Sequence, residues 1–103
     1  AVVWVDFGYN IGTEFGGRHP AIILKNLKDS LIVIPLSSQE PKSMDYNVKV
    51  DKVYGYPLMP RWVNVTRITQ VSLSRVHFEK IGDVKPCILN QISEKLKNCG
   101  III

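Results

Sequence analysis

Metal-binding side chains are scarce in this sequence. Two histidines (His19 and His77) and two cysteines (Cys87 and Cys99) occur in 103 residues, with no CxxC pair. A structural zinc site is therefore not expected. No cluster of carboxylates of the kind that holds Mg²⁺ is visible either, so no metal and no cofactor is expected. The two cysteines fall in or beside a predicted C-terminal helix. On a continuous helix their separation is about 18 Å at 1.5 Å per residue, far beyond the roughly 7 Å reach of a disulfide. Free thiols are expected, as in a reducing compartment. No apolar run approaches the roughly 20 residues of a membrane span, and no signal-peptide pattern is visible. No membrane association is expected, and the cytoplasm is the default location. Without an internal repeat or a break in composition, residues 1–103 are expected to form a single domain.

What is present is ordinary globular composition, 46% hydrophobic and 21% charged, enough for one core. The net charge of +4 suits a polyanionic partner, nucleic acid above all. A charge this modest also serves solubility alone, and both readings stand on charge.

The chain is organised around residues 4–24, WVDFGYNIGTEFGGRHPAIIL. Val2 to Phe7 reads as a strand, with Trp4 and Asp6 on one face and Val3, Val5 and Phe7 on the other. Trp4 reads as core or interface packing, with a stacking platform as the alternative. A loop from Gly8 to His19 follows and contains Gly8, Gly12, Gly16 and Gly17. Glycine permits positive φ and close backbone approach. A polar, glycine-rich loop between two strands is where a rigid scaffold can hold a ligand. Asn10, Thr13, Glu14, Arg18 and His19 supply its polar groups.

Ala21–Lys25 and Ser30–Leu36 read as strands joined by a turn over Asn26–Asp29. The run LIVIPL is almost wholly apolar, as in a central strand covered on both faces. Pro35 near its end predicts that ladder pairing stops there. Tyr46–Val50 alternates and reads as an exposed strand, and residues 51–60 as a loop. Arg61–Ile68 alternates Trp62, Asn64, Thr66 and Ile68 against Arg61, Val63, Val65 and Arg67, and reads as one strand. Phe78–Val84 reads as a strand that turns at Gly82-Asp83. Pro86 opens a helix to about Asn98, with Ile88, Leu89, Ile92 and Leu96 on one stripe and Gly100 as a cap. Several short strands and one terminal helix predict a mainly β fold, a small SH3-like barrel.

Trp4-Val5-Asp6-Phe7, then Gly12-Thr13-Glu14, then Gly17-Arg18-His19-Pro20 before an apolar strand resembles the opening of the MazF/PemK toxins. These are small ribonucleases of bacterial toxin–antitoxin pairs. The resemblance is strongest over residues 2–39 and weaker after residue 60. It implies the same MazF/CcdB-like barrel, a homodimer, a cognate antitoxin and single-stranded RNA as substrate. In the family an arginine directly precedes the proline. Ungapped alignment puts His19 in that catalytic place, and a one-residue insertion would put Arg18 there instead. Ser37, after the central strand, matches the family's catalytic threonine. Glu14 matches an acidic residue that orders the loop or assists as a base. Thr69 and Ser72 stand where the family has arginine and aspartate.

The chemistry fits those residue types. Histidine titrates near neutrality and serves as general acid or base. Arginine offers a permanent fork of donors to phosphate oxygens. A hydroxyl at Ser37 can bond the scissile phosphate or the leaving oxygen. Asn10, Thr13, Ser38, Gln39, Lys42, Arg61, Trp62, Asn64 and Arg67 are candidates to grip unstacked RNA, combining cations, amides, hydroxyls and a ring. Alternation sets Trp62 and Asn64 against Arg61 and Arg67, so these four cannot all line one groove. His77 reads as structural. The reading is a metal-independent, sequence-specific endoribonuclease. The rivals are a CcdB-like toxin that poisons gyrase and an inactive relative that only binds RNA or protein.

Overall fold

The apolar run LIVIPL forms the middle of a twisted antiparallel sheet, because a strand with hydrophobic side chains on both faces must be covered on both. The computed structural model describes residues 1–8 and 17–100. In chain order its elements are β1 (Val2–Asp6), β2 (Arg18–Asn26), β3 (Ser30–Ser37), β4 (Asn47–Val50), β5 (Arg61–Asn64), β6 (Thr69–Ser72), β7 (Val76–Gly82) and α1 (Pro86–Asn98). The strand order is β4-β5-β3-β2-β1-β7, with β6 also paired to β3. This is the mainly β architecture with one C-terminal helix that the sequence predicts.

Strand β3 is the hinge of the sheet. Its first half pairs with β6 (Ser30↔Ser72 to Val33↔Thr69), and its last two residues pair with β5 (Leu36↔Val63, Ser37↔Trp62). Pro35 was expected to end the ladder. On the β2 edge it does, since the last pair there is Ala21↔Pro35, while β3 itself runs on to Ser37. On the other edge the partner changes between Val33 and Leu36. The missing N–H therefore falls where that ladder is already interrupted.

The two faces of the sheet bury different cores. One holds Val2, Ile22, Ile34, Leu36, Val48, Val63 and Val65 against the helix residues Ile88, Ile92 and Leu96, with Trp4 packed on it. The other holds Val3, Val5, Ala21, Leu31, Val33, Val71 and Val76, with Phe7 packed on it. The period-2 split of β1 is the one its sequence predicts. Helix α1 starts with Pro86 at its first position and ends with Gly100 at φ 78°. Ile92 is 1% exposed, and burying such a side chain contributes about 1.5–3 kcal/mol. Both cysteines are free.

Three strands differ from the sequence reading by two or more residues at an end, and β6 is a strand that reading did not include. Strand β2 begins at Arg18, three residues earlier than expected, so Arg18 and His19 lie on a strand and not in the loop. Strand β5 stops at Asn64. The Asn64 Oδ1 accepts from the Thr66 N–H at 3.0 Å and from the Thr66 hydroxyl at 2.6 Å. This side-chain cap starts a 3₁₀ turn, Val65–Arg67, and competes with the sheet ladder as such local bonds do. Strand β7 runs from Val76 and ends at Gly82. A Cβ on Gly82 would lie 2.8 Å from both the Tyr54 carbonyl oxygen and the Tyr56 ring, so the close passage of 54–56 requires glycine there.

Candidate active site

Strand pairing sorts Arg18 and His19 to opposite sides. Strand β1 aligns Trp4 with Pro20, Val5 with His19 and Asp6 with Arg18. Successive side chains on a strand alternate. Arg18 and Pro20 therefore leave on the Trp4 side, and His19 leaves on the Val5 side. The His19 ring lies 6.4 Å from the Phe7 ring, centre to centre. Strand β2 in turn aligns Ala21 with Pro35. Ser37 lies two residues beyond Pro35 on β3, so by alternation it leaves on the Val33 side, the side of Val5 and His19. Ser37 is aligned with Trp62 on β5. One row thus reads His19, Ser37, Trp62. A second row, on the opposite face, holds Arg18 and Arg61.

Both rows meet at a cleft of about 560 Å³ lined by Trp4, Arg18, His19, Pro20, Leu36, Ser37, Ser38, Gln39, Met59 and Arg61. That volume falls within the roughly 300–1,000 Å³ of small-molecule sites. Among the described residues its lining has two arginines and a histidine and no carboxylate, a field that suits an anion. The Ser37 Oγ accepts from the Gln39 N–H at 3.1 Å, which shapes the turn at the mouth.

Arg61 is 6% exposed. The sequence reading makes it a cation that grips RNA, and in the structure it forms part of the cleft wall. It shares its face with Val63 and Val65, which are fully buried. Its Nη2 donates to the Pro57 carbonyl at 3.4 Å, and its guanidinium lies 5.5 Å from the centre of the Tyr56 ring. Tyr56 stacks on Trp4, with centres 5.8 Å apart and planes 12° from parallel. Burial pulls the Arg61 guanidinium below its ordinary range, and Tyr56 acts the other way. Burial likewise pushes the Tyr56 phenol up, with Arg61 opposing.

The remaining candidates are distributed less favourably. Trp62 is half-buried, on the face opposite Arg61, and does not line the cleft. Arg67 ends the 3₁₀ turn, Asn64 caps it, and Lys42 is exposed in the link before β4. None of these three lines the cleft. Asn10, Thr13 and Glu14 lie outside the described residues. His77 pairs across the sheet with Trp4, and its Nδ1 is 3.9 Å from Glu79. Sequence reasoning missed Pro20, Leu36 and Met59, and it set Trp4 aside as packing. Trp4 does pack on the core, and it also forms part of the cleft wall. The signal was its place two residues before the end of a strand that feeds the polar loop. Met59 carried no such signal. Among the described residues no three or more His, Cys, Asp or Glu side chains gather to hold a metal ion. No helix there is long and apolar enough to cross a membrane.

The fold is a small, mainly β sheet with one C-terminal helix and an arginine-walled cleft at one end. The family model of PemK-like, MazF-like toxins of type II toxin–antitoxin systems matches residues 1–99, and the chain belongs to that family. The family's toxins are endoribonucleases. Solved structures agree on the fold. A Deinococcus radiodurans MazF is 22% identical, with a TM-score of 0.74 over 95% of this chain and 90% of that one. The Mycobacterium tuberculosis toxin MazF-mt6 is 15% identical, with a TM-score of 0.73 over the whole of both chains. A mycobacterial endoribonuclease solved in complex with its cognate antitoxin is 18% identical, with a TM-score of 0.71 over 99% of this chain and 93% of that one. Comparison with curated proteins finds no match.

Proposed function

We propose that the protein is a metal-independent endoribonuclease toxin that cleaves single-stranded RNA at its cleft and is neutralised by a cognate antitoxin. The observation that carries this reading is the one cleft lined by His19, Ser37, Arg18 and Arg61. In the proposed reaction a general base takes the proton of a ribose 2′-OH, and that oxygen attacks the adjacent phosphorus. The P–O5′ bond breaks, and a general acid returns a proton to the leaving 5′ oxygen. The products are a 2′,3′-cyclic phosphate and a 5′-OH. His19 is suited to proton transfer. The Ser37 hydroxyl can donate to a phosphate oxygen, and Arg18 can balance the charge of the pentacoordinate phosphorus. RNA supplies its own nucleophile, so no covalent enzyme intermediate is needed.

An antitoxin partner is in keeping with the relatives solved as antitoxin complexes. A homodimer is in keeping with the edge strand β7, whose Phe78 and Ile81 are exposed, because open edges invite pairing. No observation favours gyrase as a target. The test is incubation of the purified protein with a long RNA in EDTA, followed by mapping of the ends. Cleavage with cyclic-phosphate and 5′-OH ends is expected. Loss of activity in EDTA that Mg²⁺ restores would defeat the mechanism.

A further inference from the structure

The two arginines of the cleft are unlike. Arg18 is exposed, and water and salt screen its charge. Arg61 is almost wholly enclosed. Its Nη1 is buried and has no hydrogen-bond partner among the described residues, and its Nη2 makes one long bond to a backbone carbonyl. Among the described residues no carboxylate forms an ion pair with it. The aromatic face of Tyr56 is its nearest compensation.

A buried cation without a counter-ion is a burden on the fold. Desolvation of the charge outweighs a long bond and one ring contact, and an apolar side chain of similar length would pack there at lower cost. Arg61 shares its face with Val63 and Val65, so the position is a core position where such a side chain belongs. The same burial makes the charge effective. In a low-dielectric wall a cation acts on a nearby anion more strongly than a solvated cation at the rim does. The group such a charge suits is one that arrives with its own negative charge and excludes water as it binds.

We propose that Arg61 is the buried counter-charge for the phosphate group on which His19 and Ser37 act. It is a positioning residue. Its charge is felt through the cleft wall, and the enclosed Nη1 need not touch the substrate. This assignment rests on the ribonuclease reading for the identity of the anion, but not for the existence of an anion site. Tyr56 faces the guanidinium and stacks on Trp4, which lines the cleft and so serves as a reporter there.

The test compares the parent protein with Arg61→Met, of similar length and uncharged, and Arg61→Lys. Three quantities are measured: the thermal midpoint without ligand, the affinity for inorganic phosphate from Ser37 amide and Trp4 indole NMR shifts, and single-turnover cleavage of a long RNA. Arg61→Met is expected to unfold at the parent's temperature or above. Its phosphate affinity should fall about tenfold and cleavage about 10²-fold, the low end for removal of a charge-stabilising group. Its RNA affinity should depend on salt with a slope smaller by about one. Arg61→Lys should recover part of the phosphate affinity. A lower midpoint for Arg61→Met overturns the proposal, because the guanidinium would then be a structural member of the wall. Phosphate binding that is absent in the parent, or unchanged in Arg61→Met, overturns it too. If the parent cleaves no RNA while phosphate binding still depends on Arg61, the anion site stands and the ribonuclease reading falls.

Discussion

Two neighbouring rows of the same sheet hold the candidate chemistry, and they are built differently. The row of His19 and Ser37 lies on the face of Val5 and Phe7 and carries the groups proposed for proton transfer. The row of Arg18 and Arg61 lies on the face of Trp4 and Val63 and carries the groups proposed for charge balance. Arg18 and His19 are consecutive in the chain, yet strand alternation turns them to opposite faces. In the proposed reaction, proton transfer and charge balance would then fall to opposite faces of the sheet. A shift of one place in the β1–β2 pairing would exchange them.

The largest expected effect tests that division. His19→Ala should lower the single-turnover cleavage rate by about 10²–10⁴-fold, as loss of a general acid–base group does, with RNA affinity little changed. If Arg18 holds the catalytic place instead, the two effects swap. Arg18→Ala then abolishes cleavage and His19→Ala is mild. Parent rates in both variants would remove the catalytic reading of this loop.

Next in size is a change that should move both rows together. Ile92 of α1 is buried against the face that carries Trp4 and Leu36. Ile92→Ala leaves a cavity there and should cost about 2–5 kcal/mol. Denaturant unfolding should show an earlier midpoint with an unchanged slope. Below the transition, the ratio of His19-dependent to Arg18-dependent effects should stay that of the parent.

A smaller effect is expected at the rim. Arg18 is exposed, and its pairing with a phosphate is screened. Arg18→Ala should weaken RNA binding by about tenfold at low salt, and by less as salt rises, since one fewer counterion is released. Filter binding across a salt series measures it. A loss that salt does not alter would mean that Arg18 acts by shape.

Much of this arrangement was legible in the chain. The alternation of β1, the central character of LIVIPL and the stripe of α1 all follow from hydrophobic period, because burial of one face dictates each. The proximity of His19 and Ser37 was legible only through family resemblance. Register across two strands depends on where β2 starts, and the glycines before it disguise that start. Arg61 was half legible. Its alternation with Trp62 was read correctly, but the reading stopped short of its consequence, that the face shared with Val63 and Val65 is the buried one. Arginine argues for solvent, and here tertiary packing overrides it. The end of β5 was obscured for a local reason. Val65 continues the alternation, and the cap at Asn64 interrupts it through a side-chain bond that period analysis does not see.

That cap supplies the smallest and most selective test. Asn64 stands three residues after Arg61 and two after Trp62, at the far end of β5 from the cleft. Its Oδ1 satisfies the Thr66 N–H and hydroxyl. Asn64→Ala removes both bonds and should cost about 1 kcal/mol, within the range for lost side-chain caps. For a domain near 100 residues this lowers the thermal midpoint by about 4–8 °C. Cleavage rate and RNA affinity at 25 °C should stay within twofold of the parent, because Leu36↔Val63 and Ser37↔Trp62 pairing holds the start of β5 without the cap. A rate loss comparable to that of His19→Ala would show that the end of β5 sets the rows, and the functional division between them would then depend on the turn at Val65–Arg67 as well as on the β1–β2–β3 register.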